Sequence, residues 1–288
     1  MGADVLYKYL HPDRVDVLQN LKIRFTQVSA LNDPFESLPG IIQKDREWYL
    51  QQFHEKRVKP EMIRLGINDQ REREQFRRAF EEQYFSNFLA CYTDQKWLEE
   101  QSEIVQRASA SVQGCLSLSA TPKNILMWSH YAHNHEGYVI GFDAEHEYFG
   151  KTVQPVAYSD IRPTHNPLEA HHGPEIFYTK SKDWSYEQEY RKHQAFVKPI
   201  TLASGRTFLN FVQAAGPIPT NSAIMLYPFP KESIKCLILG WKSSPELEQK
   251  LKLALDQHQM HRTAVCKAKP STTKYEMEIL QAGVGPFK

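Results

Sequence analysis

Residues 124–143 read NILMWSHYAHNHEGYVIGFD, a pattern that predicts one short helix followed by a buried strand. Met127, Trp128 and Tyr131 follow helical spacing after a Pro-Lys-Asn turn. Gly137 is expected to reverse the direction of the backbone before the strand YVIGF. The stretch also carries a dense set of polar side chains of the types that perform chemistry, namely Ser129, His130, His133, His135, Glu136 and Asp143. We therefore expect the rest of the chain to be organised around it.

The bulk composition is that of a folded protein: 288 residues, 41% hydrophobic and 24% charged. Residues 1–288 are expected to form a single elaborated domain. The formal charge of +1 creates no global field toward nucleic acid or an anionic membrane. No apolar run approaches the length of a membrane span, and the first residues do not resemble a signal peptide. The predicted location is the cytoplasm, where the four cysteines would be free thiols.

Strands and helices interleave without a regular βαβ repeat, which favours an α+β fold with a mixed, strongly bent (split) β-sheet. One strand is predicted over residues 22–28, and a turn follows at Asn32, Asp33 and Pro34. Residues 41–110 have helical periodicity and many charges, so they are predicted to form a helical insertion.

The helical insertion contains Arg71, Arg73, Arg77 and Arg78 among several glutamates. Arginines on one helix face could contact phosphates, and the interleaved carboxylates favour a solvated face instead. The sequence is compatible with both interpretations.

Tyr186–Arg191, a run that reads YEQEYR, is the sharpest chemical signal outside the first stretch. If this run enters a strand, Glu187, Glu189 and Arg191 project from one face. Two carboxylates on a cleft wall can hold a sugar hydroxyl and stabilise an oxocarbenium-like centre. The alternative is a ladder of ion pairs from the glutamates to Arg191 and Lys192.

Lys8 lies in an otherwise apolar strand between Tyr7 and Tyr9. A lysine there either extends to solvent or faces an anion such as a diphosphate, and Arg24 on the next strand could do the same. No glycine-rich phosphate loop accompanies these cations.

His130, His133 and His135 invite a metal site, but the strong zinc spacings are absent and no metal is expected. His130 is expected either to hold the helix against the sheet or to contact a substrate.

Five motifs in order, LYKY, IRFTQVSALNDPFE, MWSHYA with HxGYxIGFD, WSYExEYR and LILG, resemble a bacterial and phage family catalogued only as a domain of unknown function. The resemblance extends over most of residues 6–255.

The chain more weakly resembles ADP-ribosyltransferases. The similarity rests on Tyr7-Lys8 in the first strand, on Thr26 or Ser29 after the second, and on the late Glu187-x-Glu189 motif. The resemblance implies NAD as substrate in a cleft of a bent sheet, with Glu189 on the nicotinamide ribose. Lys8 stands where that family has His or Arg. The implied binding residues are Tyr7, Lys8, Tyr9, Arg24, Thr26, Ser29, Asn32, Trp128 and Tyr131.

The first hypothesis is thus an ADP-ribosyltransferase-like toxin or phage-defence effector that cleaves NAD and transfers ADP-ribose to nucleic acid or protein. Glu189, Glu187 and His130 would be its catalytic residues, and an antitoxin or chaperone is a possible partner. The alternatives are a nucleic-acid-binding or nuclease-like effector that uses the arginines and histidines, and a non-catalytic interaction module.

Overall fold

The computed structural model describes residues 3–169, 174–196, 200–201, 207–208 and 224–281. The helices are α1 (Asp16–Asn20), α2 (Arg46–Phe53), α3 (Lys59–Arg64), α4 (Gln70–Thr93), α5 (Gln95–Val112), α6 (Ile125–Tyr131), α7 (Glu175–Tyr178) and α8 (Pro245–Gln257). A π-helix spans His54–Val58, and short 3-10 helices span Pro12–Val15, Val28–Ala30, Gly150–Thr152, Lys182–Glu187 and Lys231–Ser233.

The strands are β1 (Val5–Leu10), β2 (Lys22–Arg24), β3 (Thr26–Gln27), β4 (Gly40–Ile41), β5 (Gln113–Ser119), β6 (Tyr138–Asp143), β7 (Val153–Pro155), β8 (Ala157–Ser159), β9 (Thr164–His165), β10 (Thr179–Ser181), β11 (Glu189–Ala195), β12 (Ile200–Thr201), β13 (Thr207–Phe208), β14 (Leu226–Pro228), β15 (Ile234–Leu239), β16 (Ala264–Pro270) and β17 (Met277–Gln281).

Nine strands form one curled, mixed sheet in the order β17-β16-β15-β6-β1-β5-β11-β7, with β3 paired to β5. β15 and β16 are parallel because α8 carries the chain back across the sheet between them. The neighbouring β1/β6 and β5/β11 pairs are antiparallel. The predicted α+β class with a mixed, strongly bent sheet and a helical insertion is confirmed.

The sheet is split between β1 and β5. These strands are in register at one pair, Tyr7 with Ser119, whereas β1 follows β6 through all six of its residues. The backbone carbonyl of Ser117 is consequently not used by β1 and accepts a hydrogen bond from a side chain, described below. The split leaves room for polar side chains inside the sheet.

The described residues form two compact units. The first contains the nine-stranded sheet and comprises Met1–Glu36, Ala108–Ile161 and Tyr178–Lys288. The second comprises Ser37–Arg107 and Arg162–Phe177, so the helical insertion begins slightly earlier than predicted and recruits a later segment. Among the described residues, no helix has both the length and the apolarity needed to cross a bilayer.

The helical unit has its own apolar core, with Phe53, Phe85 and Phe88 among its buried members. Asn166 connects the later segment to this unit, because its side-chain amide donates to Ile42 O at 2.9 Å. The helical periodicity of residues 41–110 predicted helices here, but no local sequence pattern predicted that a later segment would pack with them.

The predicted strand at residues 22–28 is interrupted. β2 pairs with β14, whereas β3 pairs with β5, so the chain changes partners at Phe25. A 3-10 helix then begins at Val28. The prediction of one continuous strand was wrong because the two partners come from distant parts of the chain.

Residues 124–143 form the predicted helix and strand, and they differ from the prediction at the turn between the two. Asn124 caps α6 by accepting hydrogen bonds from the backbone of Leu126 and Met127. His133 and His135 adopt positive φ angles of 48° and 72°, so the reversal is made by these residues and not by Gly137. Gly137 is required for a different reason: a Cβ atom there would lie 2.1 Å from Leu10 O.

Replacement of Gly137 with alanine should therefore lower the melting temperature, because the added methyl group meets immovable backbone. Overpacking of this kind costs about 1–3 kcal/mol. Thermal unfolding followed by circular dichroism measures the change. Gly40→Ala is the matched control, since its Cβ would have no neighbour closer than 3.7 Å. Equal melting temperatures for the two variants would contradict the close approach.

Candidate functional site

A pocket of about 410 Å³ opens at the split in the sheet. Its volume lies within the range of small-molecule sites. Its walls come from β1, β5, β11, α6 and the segment that follows β3. The lining residues are Tyr7, Lys8, Tyr9, Arg24, Thr26, Ala30, Leu31, Asn32, Glu36, Ser117, Leu118, Ser119, Met127, His130, Tyr131, Lys180, Glu187, Glu189 and Arg191.

Arg191 is the centre of a buried ion-pair network. Its Nη1 and Nη2 donate to the two carboxylate oxygens of Glu36 at 2.6 and 2.8 Å. Its Nε and Nη2 donate to the oxygens of Glu189 at 2.8 and 3.0 Å. The Arg191 side chain is 1% exposed, so both pairs lie out of water. A fork of this geometry fixes the direction of both carboxylates.

The electrostatics of this network are set by opposing effects. Burial acts to raise the pKa of Glu189, but the charge and hydrogen bonds of Arg191 outweigh it, so the pKa is lowered. Burial raises the pKa of Glu36 despite the same partner. Burial alone would lower the pKa of Arg191, and the two carboxylates instead raise it well above its usual value. Glu189 and Arg191 are therefore held as ions.

A second chain of hydrogen bonds surrounds Glu187. Lys180 Nζ donates to Glu187 Oε2 at 2.7 Å and lies 3.7 Å from Glu189 Oε2. Tyr131 Oη donates to Glu187 Oε1 at 2.5 Å, and Asn32 Nδ2 donates to Tyr131 Oη at 2.9 Å. The side chains of Lys180 and Glu187 are each 5% exposed. The two carboxylates of the YEQEYR run thus share one buried lysine.

The backbone that carries Glu187 and Glu189 is not a single strand, which corrects the expectation that both project from one. Glu187 ends a 3-10 helix, Gln188 has a φ of 45°, and β11 begins at Glu189. Ser119 Oγ anchors the turn by donating to Glu187 O at 2.7 Å. The left-handed residue turns Glu187 toward the same pocket as Glu189. Arg191 does share a strand face with Glu189, as predicted.

Lys8 and Arg24 lie in the pocket, and no carboxylate of the described residues is within ion-pair distance of either. Lys8 Nζ donates to Ser117 O at 2.9 Å in the split of the sheet. Burial lowers the pKa of Lys8, and the charges of Glu189 and Glu187 act in the opposite direction. Arg24 Nε is buried and has no hydrogen-bond partner in the described part of the chain. Both cations therefore retain capacity for a ligand.

Most of the predicted site residues meet in this pocket. Tyr7, Thr26, Asn32 and Tyr131 line it. His130 lies at the mouth with an exposed ring and is 3.2 Å from Tyr186 Oη through Nδ1. Tyr9 lines the pocket as well, but its hydroxyl is committed to Thr121 O at 2.8 Å.

Trp128 and Ser29 are not brought to the pocket. Trp128 is fully buried, and its indole Nε1 donates to Pro122 O at 2.7 Å. It packs edge-on against Tyr9, a lining residue, and so lies behind the pocket wall. It cannot stack on a ligand in this position. The side chain of Ser29 lies outside the described part of the structure.

The other two histidines of the opening stretch point elsewhere. His133 packs against His11, with ring centroids 4.2 Å apart, and His135 lies 3.3 Å from Ser129 Oγ through Nε2. Within the described residues, no group of three or more His, Cys, Asp or Glu side chains could hold a metal ion. Burial raises the pKa of the Cys115 thiol, on β5 near Arg191 and Glu189, to about 12, so that thiol stays protonated at neutral pH.

Two of the four arginines singled out in the helical unit form ion pairs along α4. Arg77 pairs with Glu74 and Glu81, and Arg78 pairs with Glu74. This arrangement is the solvated, interleaved face that the sequence offered as one interpretation.

The sequence did not single out Glu36 or Lys180. Glu36 contacts Arg191 across 155 residues, and no local pattern predicts such a pairing. Lys180 stands in a polar run, KSKDWS, that reads as surface. The one available signal was Glu36 at the end of the NDPFE motif, which the family resemblance already included.

The pocket therefore combines four cations, Lys8, Arg24, Lys180 and Arg191, with three carboxylates, Glu36, Glu187 and Glu189. Buried charges contribute little to stability compared with apolar residues of similar size, so such a cluster usually serves binding or catalysis. The cluster can hold an anionic group at Lys8 and Arg24 and hydroxyl groups at the carboxylates.

The fold and the site thus define an α+β protein with a charged pocket in a split sheet. Residues 127–192 match the model of a family described as Protein of unknown function (DUF2971). The segment includes His130, Tyr131, Lys180 and the whole of the YEQEYR run. The predicted resemblance to a family of unknown function is confirmed over these residues.

No curated protein and no solved structure matches the chain.

Proposed function

We propose that the pocket binds NAD and cleaves its nicotinamide–ribose bond, so that ADP-ribose can be transferred to a macromolecule. The observation that carries the proposal is the presence of two buried carboxylates, Glu187 and Glu189, in the same pocket as Lys8 and Arg24, two cations that form no ion pair with any residue the structure describes. The carboxylates suit cleavage of the glycosidic bond, and the cations suit binding of the diphosphate.

The carboxylate half suits cleavage of an N-glycosidic bond. As nicotinamide leaves, positive charge develops on the ribose ring, and fixed negative charge nearby stabilises it. Lys180 and Arg191 hold the two carboxylates in place before the ligand arrives. Preorganised charge of this kind costs no rearrangement during the reaction.

The cation half suits the diphosphate. Lys8 supplies a compact charge and Arg24 a planar fork with a buried Nε–H that lacks a partner. A bound diphosphate would satisfy that donor. The proposed acceptor is nucleic acid or protein, because the mouth of the pocket carries the exposed ring of His130 and could admit a large partner.

Isothermal titration calorimetry of the purified chain with NAD tests the proposal. We expect NAD to bind, and Lys8→Met to weaken binding by at least about tenfold, the effect of losing a hydrogen bond to a charged group. Lys182→Met is the matched control, because Lys182 is exposed and pairs with Asp160. Absence of binding at millimolar NAD would overturn the proposal.

The affinity for NAD should also fall at alkaline pH. Only protonated Lys8 attracts a diphosphate, and burial lowers its pKa, so this attraction is lost as the pH rises through a value below that of an ordinary lysine. Lys8→Arg should keep its affinity over the same range, since arginine stays protonated. The same alkaline decrease in both proteins would assign it to another group.

A further inference from the structure

One residue that lines the pocket is of the type that exchanges a proton near neutral pH. His130 is the one histidine of the described lining, which contains no cysteine. An unperturbed imidazole titrates at about pH 6.5, whereas lysine, arginine and tyrosine are ordinarily protonated at neutral pH. Burial acts to raise the pKa of Glu189, but Arg191 outweighs it, so this carboxylate is a weak base. His130 is therefore the lining residue best suited to accept a proton.

The ring of His130 is held through one of its two nitrogens. Nδ1 lies 3.2 Å from Tyr186 Oη, and the two rings pack edge to face with their centroids 6.0 Å apart. The described residues provide no hydrogen-bond partner for Nε2, and the ring is exposed at the mouth. When Nδ1–H donates to the tyrosine oxygen, Nε2 carries the free lone pair. Tyr186 thus favours the tautomer that can accept a proton from a molecule at the mouth.

α6 places His130 beside a carboxylate that the proposed reaction requires. His130 contacts Tyr186 on the 3-10 helix. The next residue of α6, Tyr131, donates to Glu187, which directly follows Tyr186 in the chain. Glu187 has to keep its charge to stabilise the ribose, so a proton released nearby needs another acceptor. His130 is the adjacent group that can take it.

The groups that face His130 do not titrate in the same pH range. They are Tyr186 from the 3-10 helix and Tyr131 on α6 itself, with Glu187 beyond Tyr131. Burial raises the pKa of both tyrosines, so they stay protonated at neutral pH. No carboxylate of the described residues lies within ion-pair distance of His130. A change in rate near neutral pH is therefore assigned to this imidazole.

We propose that His130 Nε2 accepts the proton of the acceptor, with Tyr186 as its positioning residue. The acceptor oxygen or nitrogen forms a bond to the ribose carbon, and the bond from that carbon to nicotinamide breaks. The electron pair of the broken bond leaves with nicotinamide, and the acceptor proton passes to Nε2. The acceptor is therefore a neutral O–H or N–H group and not a carboxylate, which has no proton to lose. This inference rests on the proposed cleavage of NAD.

Nicotinamide release with water as the acceptor tests the role of His130. His130→Asn should lower the rate constant by about 10²–10⁴-fold, the usual effect of a lost acid–base group. In the unmodified protein the rate should rise with pH through the imidazole range, and this rise should be absent from the variant. His133→Asn is the matched control, because His133 is exposed on the same segment and does not line the pocket. It should keep both the rate and the pH dependence.

Azide separates a catalytic loss from a structural one. Azide is an anion that attacks carbon without releasing a proton, so it should restore nicotinamide release in His130→Asn. A defect in folding or in NAD binding would not be reversed in this way.

Tyr186→Phe tests the positioning residue, because it keeps the ring and removes the hydroxyl. It should lower the rate less than His130→Asn does. The midpoint of the pH profile should move to lower pH, since the hydroxyl stabilises the protonated imidazole more than the neutral one. An unchanged midpoint would overturn the role of Tyr186.

The outcomes distinguish this inference from the proposed function. If His130→Asn releases nicotinamide within about threefold of the unmodified rate, or if azide does not restore its release, His130 is not the proton acceptor while the proposed function stands. If the unmodified protein releases no nicotinamide with water, azide or cell extract, the proposed function fails and the inference fails with it.

Discussion

Replacement of Arg191 with methionine is expected to lower the free energy of unfolding by about 3–5 kcal/mol. The substitution removes the partner of two buried carboxylates, Glu36 and Glu189, while their charges stay out of water. A loss of this size is a large fraction of the total stability of an ordinary domain. Urea denaturation measures it as a lower midpoint with an unchanged slope.

Lys182→Met is the matched control for Arg191→Met, because it also removes one cation from an ion pair. The Lys182 and Asp160 side chains are 59% and 69% exposed, so their pair should contribute at most about 1 kcal/mol. If Arg191→Met lowers the free energy of unfolding by less than about 1 kcal/mol, Arg191 does not hold Glu36 and Glu189 in a buried ion-pair network.

The difference between Arg191→Met and the unmodified protein should shrink in acid. The folded-state pKa of Glu189 is lowered, so its stabilising effect is present above its unfolded value, about 4.3, and is lost as the pH falls through the folded value. In the variant the Glu189 carboxylate that has lost Arg191 can protonate and lose its charge. Denaturation curves between neutral pH and about pH 3 would reveal this convergence.

Replacement of Glu187 with glutamine is expected to lower the rate constant of nicotinamide release by about 10²–10⁴-fold. The amide keeps the size of the side chain but removes the negative charge that, in the proposed reaction, would face the positive charge developing on the ribose. Glu189→Gln should also lower the rate, because loss of its charge would displace Arg191 and Lys180 from their positions.

Glu145→Gln is the control for these variants, because Glu145 is exposed and does not line the pocket. Circular dichroism spectra and melting temperatures separate a catalytic loss from unfolding. A Glu187→Gln variant that folds and keeps more than about a tenth of the activity would contradict a central role for this carboxylate.

The fold class could be predicted because local signals determine it. Apolar spacing identified the helices of the insertion, and the apolar run YVIGF after Gly137 identified a buried strand of the sheet. The split between β1 and β5 could not be assigned to particular strands, because it depends on which distant strands pair. The same reason explains why residues 22–28 divide between two partners.

The candidate site was predictable where a residue type conflicts with its surroundings. Burial of Lys8 in an apolar strand, or of two glutamates beside an arginine, costs free energy unless the charges are paired or bind a ligand. All of these residues line the pocket. Trp128 was misplaced because an aromatic residue on a short helix suits a core as well as a ligand. Glu36 and Lys180 were missed because their partners are set by tertiary structure and not by spacing.

Release of nicotinamide from NAD is the most direct measurement of the central claim. The purified chain is incubated with NAD carrying a labelled nicotinamide, alone and with cell extract as a source of acceptors, beside Glu187→Gln. We expect release by the unmodified protein that falls by about 10²–10⁴-fold in the variant. Equal release by both proteins, or none by either in the presence of extract, would contradict the account.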